Sequence, residues 1–118
     1  MTPNEYQKLA ARTDPESYQP SRERLNRVTM ALYHAQWGMS SETGEIADAI
    51  KKHIMYGQPL DIQNLVEECG DLMWYICLCL NAVGYTFEEC LSQNIEKLRI
   101  RYPEKFTEKD ALERKDKQ

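Results

Sequence analysis

Two acidic pairs stand out in the chain, Glu42-x-x-Glu45 and Glu68-x-x-Asp71. Each has i,i+3 spacing, so on a helix both carboxylates of a pair point to one side. Like charges one turn apart repel by roughly 0.2–0.5 kcal/mol per pair. Two such pairs on two apolar-striped helices call for a compensating cation. A divalent metal is the simplest one, and four carboxylates with no soft ligand nearby favour Mg²⁺ or Mn²⁺ over zinc. The competing reading is a set of surface charges paired with Lys51, Lys52 and nearby basic residues.

A second pattern lies further on. Leu91, Ile95, Leu98 and Tyr102 recur at helical spacing and form an expected buried seam. Beside it run Asn94, Lys97 and Arg101. An amide, an ammonium and a guanidinium along one line suit phosphate oxygens. Read without a ligand, the same stripe is a solvated face whose cations favour the helix C-terminus.

The elements that must position these groups read as helices almost throughout. Thr2 and Glu5 form a capping box with Pro3 at the first helical position, opening a helix to about Arg12. Residues 14–20 form a turn-rich connector. A long helical stretch starts near Ser21 and reaches about Met55, with a possible interruption at Gly38-Met39-Ser40-Ser41. Asp61 caps a third helix that runs to about Val83, where Gly84 suits the C-terminal cap. Thr86 and Glu89 open a fourth, ending before Pro103. A short last helix starts at Thr107, and the charged tail, residues 113–118, is expected to fray. Strand-like alternation is absent. The expected fold is all-α, with four or five helices. Residues 1–20 form an N-terminal helix and connector, 21–106 a catalytic helical domain, and 107–118 a short helix and tail.

The third helix is apolar nearly all round from residue 72 to 83, where only Asn81 is strongly polar. Such a helix is buried on all sides, and 118 residues supply few other helices to cover it. A bundle completed by homo-oligomerisation is expected; a central helix wrapped within one chain is the alternative.

Composition sets the outer limits. The length is that of one ordinary domain. A net charge of −4 with 29% charged residues argues for a soluble chain and against a nucleic-acid backbone as the main partner. No basic-then-apolar leader follows Met1, and the longest apolar run, residues 72–80, is too short to span a bilayer. The expected location is the cytoplasm, with no membrane partner. Cys69, Cys77, Cys79 and Cys90 form no C-x-x-C pair and read as small reduced hydrophobes.

These motifs together resemble the MazG-like nucleoside triphosphate pyrophosphohydrolases, the all-α NTP pyrophosphatase superfamily. The family pattern of E-x-x-E, loop and E-x-x-D matches Glu42-Thr43-Gly44-Glu45 and Glu68-Cys69-Gly70-Asp71. Its third element matches Asn94-Ile95-Glu96-Lys97-Leu98-Arg99-Ile100-Arg101-Tyr102-Pro103, and the likeness spans about residues 25–106. The resemblance implies Mg²⁺-dependent cleavage of an NTP or dNTP between the α- and β-phosphates, giving a monophosphate and pyrophosphate. It also implies a homodimer or homotetramer.

On that basis Glu42, Glu45, Glu68 and Asp71 are expected to hold the metal. Glu45 or Glu67 is the expected proton acceptor. Lys52, Asn94, Lys97, Arg101 and Tyr102 are expected at the phosphates, although packing serves Tyr102 equally well. His34 and Trp37 are candidates for the base, and Trp74 for the core. A di-iron bundle is excluded, because neither His34 nor His53 has a Glu three positions before it. Phosphoribosyl-ATP is the rival substrate. A non-catalytic helical oligomer that binds nucleotides or a protein partner is the rival class.

Overall fold

A long antiparallel pair of helices forms the body of the molecule, in a computed structural model that describes residues 1–118. The elements are α1 (Pro3–Ala11), α2 (Gln19–Arg22), α3 (Arg27–Tyr56), α4 (Ile62–Val83), α5 (Phe87–Arg101) and α6 (Glu108–Glu113), with a closing 3-10 turn at Lys115–Lys117. The fold is all-helical, as expected, but with six α-helices. The additional one is α2, a single turn that stands apart from α3. The break falls where Asn26 leaves helical geometry to cap α3.

Local chemistry sets the helix ends. The Asn26 side chain accepts from the Thr29 N–H at 3.0 Å, and the Thr29 hydroxyl accepts from the Asn26 N–H at 2.8 Å. Gly57 ends α3 at φ +67°, a conformation that suits a residue without Cβ. His53 Nδ1 lies 2.7 Å from the Gln58 carbonyl and ties the turn to the helix end. Asp61 caps α4 through the Asn64 N–H at 3.0 Å. Reciprocal 3.1 Å bonds between Thr86 and Glu89 open α5.

The expected interruption at residues 38–41 does not occur, and α3 runs through it. Ser41 Oγ donates to the Gly38 carbonyl at 3.0 Å, which satisfies the hydroxyl without breaking the helix. Gly38 serves packing: a Cβ there would fall on the Tyr75 ring of α4. It is one of only three buried residues, with Ala35 and Glu68. This seam sets the closest approach of α3 and α4.

Beyond the seam little is covered. α3 and α4 pack against each other, while α5 packs on α6 and the closing turn. The radius of gyration is 20.5 Å, against roughly 13–14 Å for a compact domain of this length. The all-round burial expected of α4 is therefore not achieved within one chain. Met73 is 55% exposed and Trp74 58%, so Trp74 is not a core residue here. Leu91, Ile95 and Leu98 of the expected α5 seam are exposed as well. One neighbouring helix covers one side only. The four cysteines are free thiols, with Cys69 exposed rather than buried.

The tail also differs from expectation. It does not fray but folds back on α5, where Asp116 pairs with Arg101. No helix is long and apolar enough to cross a membrane.

Gly38→Ala is expected to destabilise the fold by about 1–3 kcal/mol through overpacking against Tyr75. Gly44→Ala, whose new Cβ meets nothing within 4 Å, is expected to be neutral or to gain up to about 1 kcal/mol. Thermal unfolding of the two variants checks the contrast.

Candidate active site

The acidic centre forms where α3 and α4 face each other one turn beyond the Gly38–Tyr75 seam. Glu42 reaches it from α3, and Glu68 and Asp71 from α4. One carboxylate oxygen from each lies within 4.8 Å of the other two. Each pair lies at the edge of its helix's apolar stripe. The antiparallel crossing turns those edges toward each other.

Two of the oxygens are orphaned. Glu42 Oε2 and Glu68 Oε2 are buried and have no hydrogen-bond partner. A buried polar atom without a partner carries a desolvation cost, and a like charge beside it adds to that. A divalent cation answers both. The donors are all carboxylate oxygens, with no thiol or imidazole among them, so the set fits a hard ion.

Glu45 stands at the rim. It lies beside Glu68, whose carboxylate pushes the Glu45 acid above the ordinary range. Glu68 is raised in turn, chiefly by the adjoining Glu42 carboxylate, with burial adding to the effect. The fourth expected ligand therefore adjoins the cluster without entering the close triad. Glu67 is elsewhere. It is exposed and accepts from Gln63 Nε2 at 3.2 Å, one turn back on its own helix.

Clefts open on both sides of the acids. Toward the α3–α4 turn lies a cavity of about 430 Å³ lined by Glu45, Asp48, Lys52, Asn64 and Glu68, among others. Lys52 Nζ sits 2.8 Å from Asp48 Oδ2, and Lys51 reaches the other oxygen at 3.2 Å. The Asp48 carboxylate is held below the ordinary range by these two ammonium groups, Lys52 first. On the other side Glu42 and Asp71 share a cleft of about 390 Å³ with Trp74 and Tyr75. The His34 ring meets both aromatics edge-on, at centroid distances of 6.2 Å to Trp74 and 5.8 Å to Tyr75. His34 and Trp37 also line a more apolar cleft with Arg27, Met30 and Leu78. Separate clefts thus place an ammonium group on one side of the carboxylates and a cluster of aromatic rings on the other.

A family model for the MazG nucleotide pyrophosphohydrolase domain matches residues 35–106. The chain belongs to this family. No curated protein and no solved structure gives a significant match. Membership in the MazG family brings nucleotide pyrophosphohydrolase activity in the general sense, in a family that is typically metal-dependent, and the acidic cluster is of a kind that could hold an ion.

The α5 residues are not brought to the MazG acids. Asn94, Lys97 and Arg101 sit on α5 and Tyr102 at its end, and that helix packs on the C-terminal segment. Arg101 is engaged by Asp116, and the Tyr102 ring lies against Phe106 at 5.2 Å. Residues that the sequence reading did not place at the site do line these clefts, Asp48 and Asn64 in one and Trp74 in the other. Asp48 continues the i,i+3 series from Glu42 and Glu45, and Asn64 lies one turn before Glu68, so helical spacing alone could have marked both. Trp74 gave no such signal, because an aromatic inside an apolar run reads as core.

The raised acids set a stability trend for the metal-free protein. Glu45 and Glu68 hold protons more tightly folded than unfolded. Stability from this source is full below the ordinary carboxylate pKa and is lost as pH rises through the folded values. In EDTA the melting temperature is expected to fall across that window, and added Mg²⁺ is expected to remove or reverse the fall. Melting curves over a pH series with EDTA and with Mg²⁺ check this.

Proposed function

We propose that this MazG-family chain is a Mg²⁺-dependent nucleoside triphosphate pyrophosphohydrolase, with Mn²⁺ an acceptable substitute. It would cleave an NTP or dNTP between the α- and β-phosphates, releasing a monophosphate and pyrophosphate. The observation that carries this reading is the pair of buried, unpartnered oxygens on Glu42 and Glu68 beside Asp71.

In this reading Glu42, Glu68 and Asp71 hold the metal, with Glu45 completing the set from the rim. When bound, the ion supplies charge neutralisation at phosphate oxygens and lowers the pKa of a water. Glu45 is the favoured proton acceptor. It lines the open cavity beside Glu68. Glu67, exposed and bonded to Gln63, lacks that position. Lys52 faces the same cavity and supplies a point charge to the phosphates, steadied by Asp48. Trp74, Tyr75, His34 and Trp37 offer flat apolar faces for a base. The role assigned is control of the cytoplasmic nucleotide pool.

We further propose that the active form is a homodimer or homotetramer. Support comes from the large exposed side chains of α3 and α4, among them Val28, Met30, Tyr33, Trp37, Met73 and Trp74. Apolar surface on that scale is covered in a stable protein. Assembly also offers the route by which Asn94, Lys97, Arg101 and Tyr102 of α5 could reach a phosphate chain.

The test is pyrophosphate release from a panel of NTPs, dNTPs and phosphoribosyl-ATP, with Mg²⁺ and with EDTA. Glu45→Gln is expected to lower kcat by roughly 10²–10⁴-fold and to weaken but not abolish the Mg²⁺-induced rise in melting temperature. Glu68→Gln is expected to lose both turnover and that rise. Full activity in Glu68→Gln, or no pyrophosphate from any substrate by folded protein, would sink the reading.

Assembly has its own check in sedimentation equilibrium. The wild-type chain is expected to run as a dimer or tetramer and Met73→Glu as a less stable, smaller species. A stable wild-type monomer would overturn the assembly.

A further inference from the structure

Arg101 and Asp116 form the longest-range ion pair in the chain. The guanidinium Nε donates to Asp116 Oδ1 at 2.7 Å, and Nη2 donates to Oδ2 at 2.9 Å. The Asp116 side chain is 2% exposed and that of Arg101 17%. This side-on fork is the geometry with which a guanidinium grips two oxygens of a phosphate. While the closing turn is docked, that edge of Arg101 is shut to any other anion.

The turn that delivers Asp116 is short, tied locally to α6 by Gln118 Nε2, which donates to the Glu113 carbonyl at 2.9 Å, and by a 3.7 Å pair of Lys115 with Glu113. It leaves α6 through Arg114, whose φ of +50° lies in the left-handed region that disfavours residues other than glycine. Two backbone bonds define it, from the Lys117 N–H to the Arg114 carbonyl at 2.9 Å and from the Gln118 N–H to the Lys115 carbonyl at 3.3 Å. Lys115 and Lys117 themselves are exposed. The buried carboxylate is the turn's main side-chain anchor on α5.

We propose that this C-terminal turn is an internal competitor for Arg101, with the Asp116 carboxylate occupying the guanidinium until a polyphosphate displaces it. The proposal rests on reading Arg101 as a phosphate ligand. Lys97 lies four residues before Arg101 on the same helix face. A polyphosphate can engage both cations at once and so displace a single carboxylate. A lone orthophosphate offers one group and gains less. The turn therefore biases the site toward polyphosphates.

The first test is amide exchange on full-length wild-type protein with inorganic tripolyphosphate and no metal. Exchange at Lys117 and Gln118 is expected to accelerate several-fold with tripolyphosphate, and not with orthophosphate or with NaCl at matched ionic strength. Unchanged exchange, or equal release by NaCl, overturns the competitor.

The second test is kinetic. Asp116→Asn is expected to lower KM for the cleaved triphosphate by about three- to tenfold with kcat unchanged, as removal of a dominant closed state requires. In an Arg101→Gln background, where KM is raised, the same change is expected to be silent. An equal or higher KM in Asp116→Asn alongside a raised KM in Arg101→Gln would make the pair a structural brace and overturn the proposal. An unchanged KM in Arg101→Gln would remove Arg101 from phosphate binding, and the proposal with it. Tripolyphosphate-driven release without hydrolysis of any nucleotide would support the competitor while rejecting the enzymatic reading.

Discussion

The approach of α3 to α4 at Gly38 sets the geometry on which the acidic centre depends. The Tyr75 ring occupies the space where any other residue at position 38 would carry a Cβ. That contact fixes how near the helices come and how they are rotated. Glu42 lies one turn after Gly38 and Asp71 one turn before Tyr75. The same contact therefore decides that their carboxylates meet. A wider crossing would leave three solvated acids on separate helices.

Bringing like charges together works against the stability of the helix pair. Buried oxygens on Glu42 and Glu68 lack partners, and both Glu45 and Glu68 are pushed toward the protonated form. Structural acids are usually arranged the other way, as Asp48 is, between Lys51 and Lys52. The contrast separates a carboxylate already paired with two cations from carboxylates that lack a partner. Such local instability at a site is the common cost of preorganised chemistry.

The same economy governs the surface. One long helix pair and a separately packed α5 segment leave most large apolar side chains uncovered. The proposed assembly and the proposed site are thus linked, because the residues of the third family motif lie on the element least attached to the acids. Where that motif ends, the chain supplies its own anion to Arg101.

Much of this was legible in the sequence. Caps at Thr2, Asp61, Thr86 and Thr107 mark where helices start, because a cap depends on residues only three positions apart. The paired spacing of Glu42 with Glu45 and of Glu68 with Asp71 follows from helical periodicity, which is equally local. The glycine at position 38 reads from sequence as a weakness in the helix, since nothing nearby in the chain reveals Tyr75. Glu45 and Glu67 are equivalent candidates in sequence, whereas tertiary structure sets Glu45 beside Glu68 at the cavity and leaves Glu67 bonded to Gln63 on its own helix. Arg101 and Asp116 are fifteen residues apart across a chain reversal, and no period connects them. The sequence by itself determined most of the helices, the caps at Thr2, Asp61, Thr86 and Thr107 and which residue types could bind a metal, because those follow from short-range geometry. Only the tertiary structure decided which carboxylates meet and which cation is already taken, because contacts between distant segments depend on how whole helices pack.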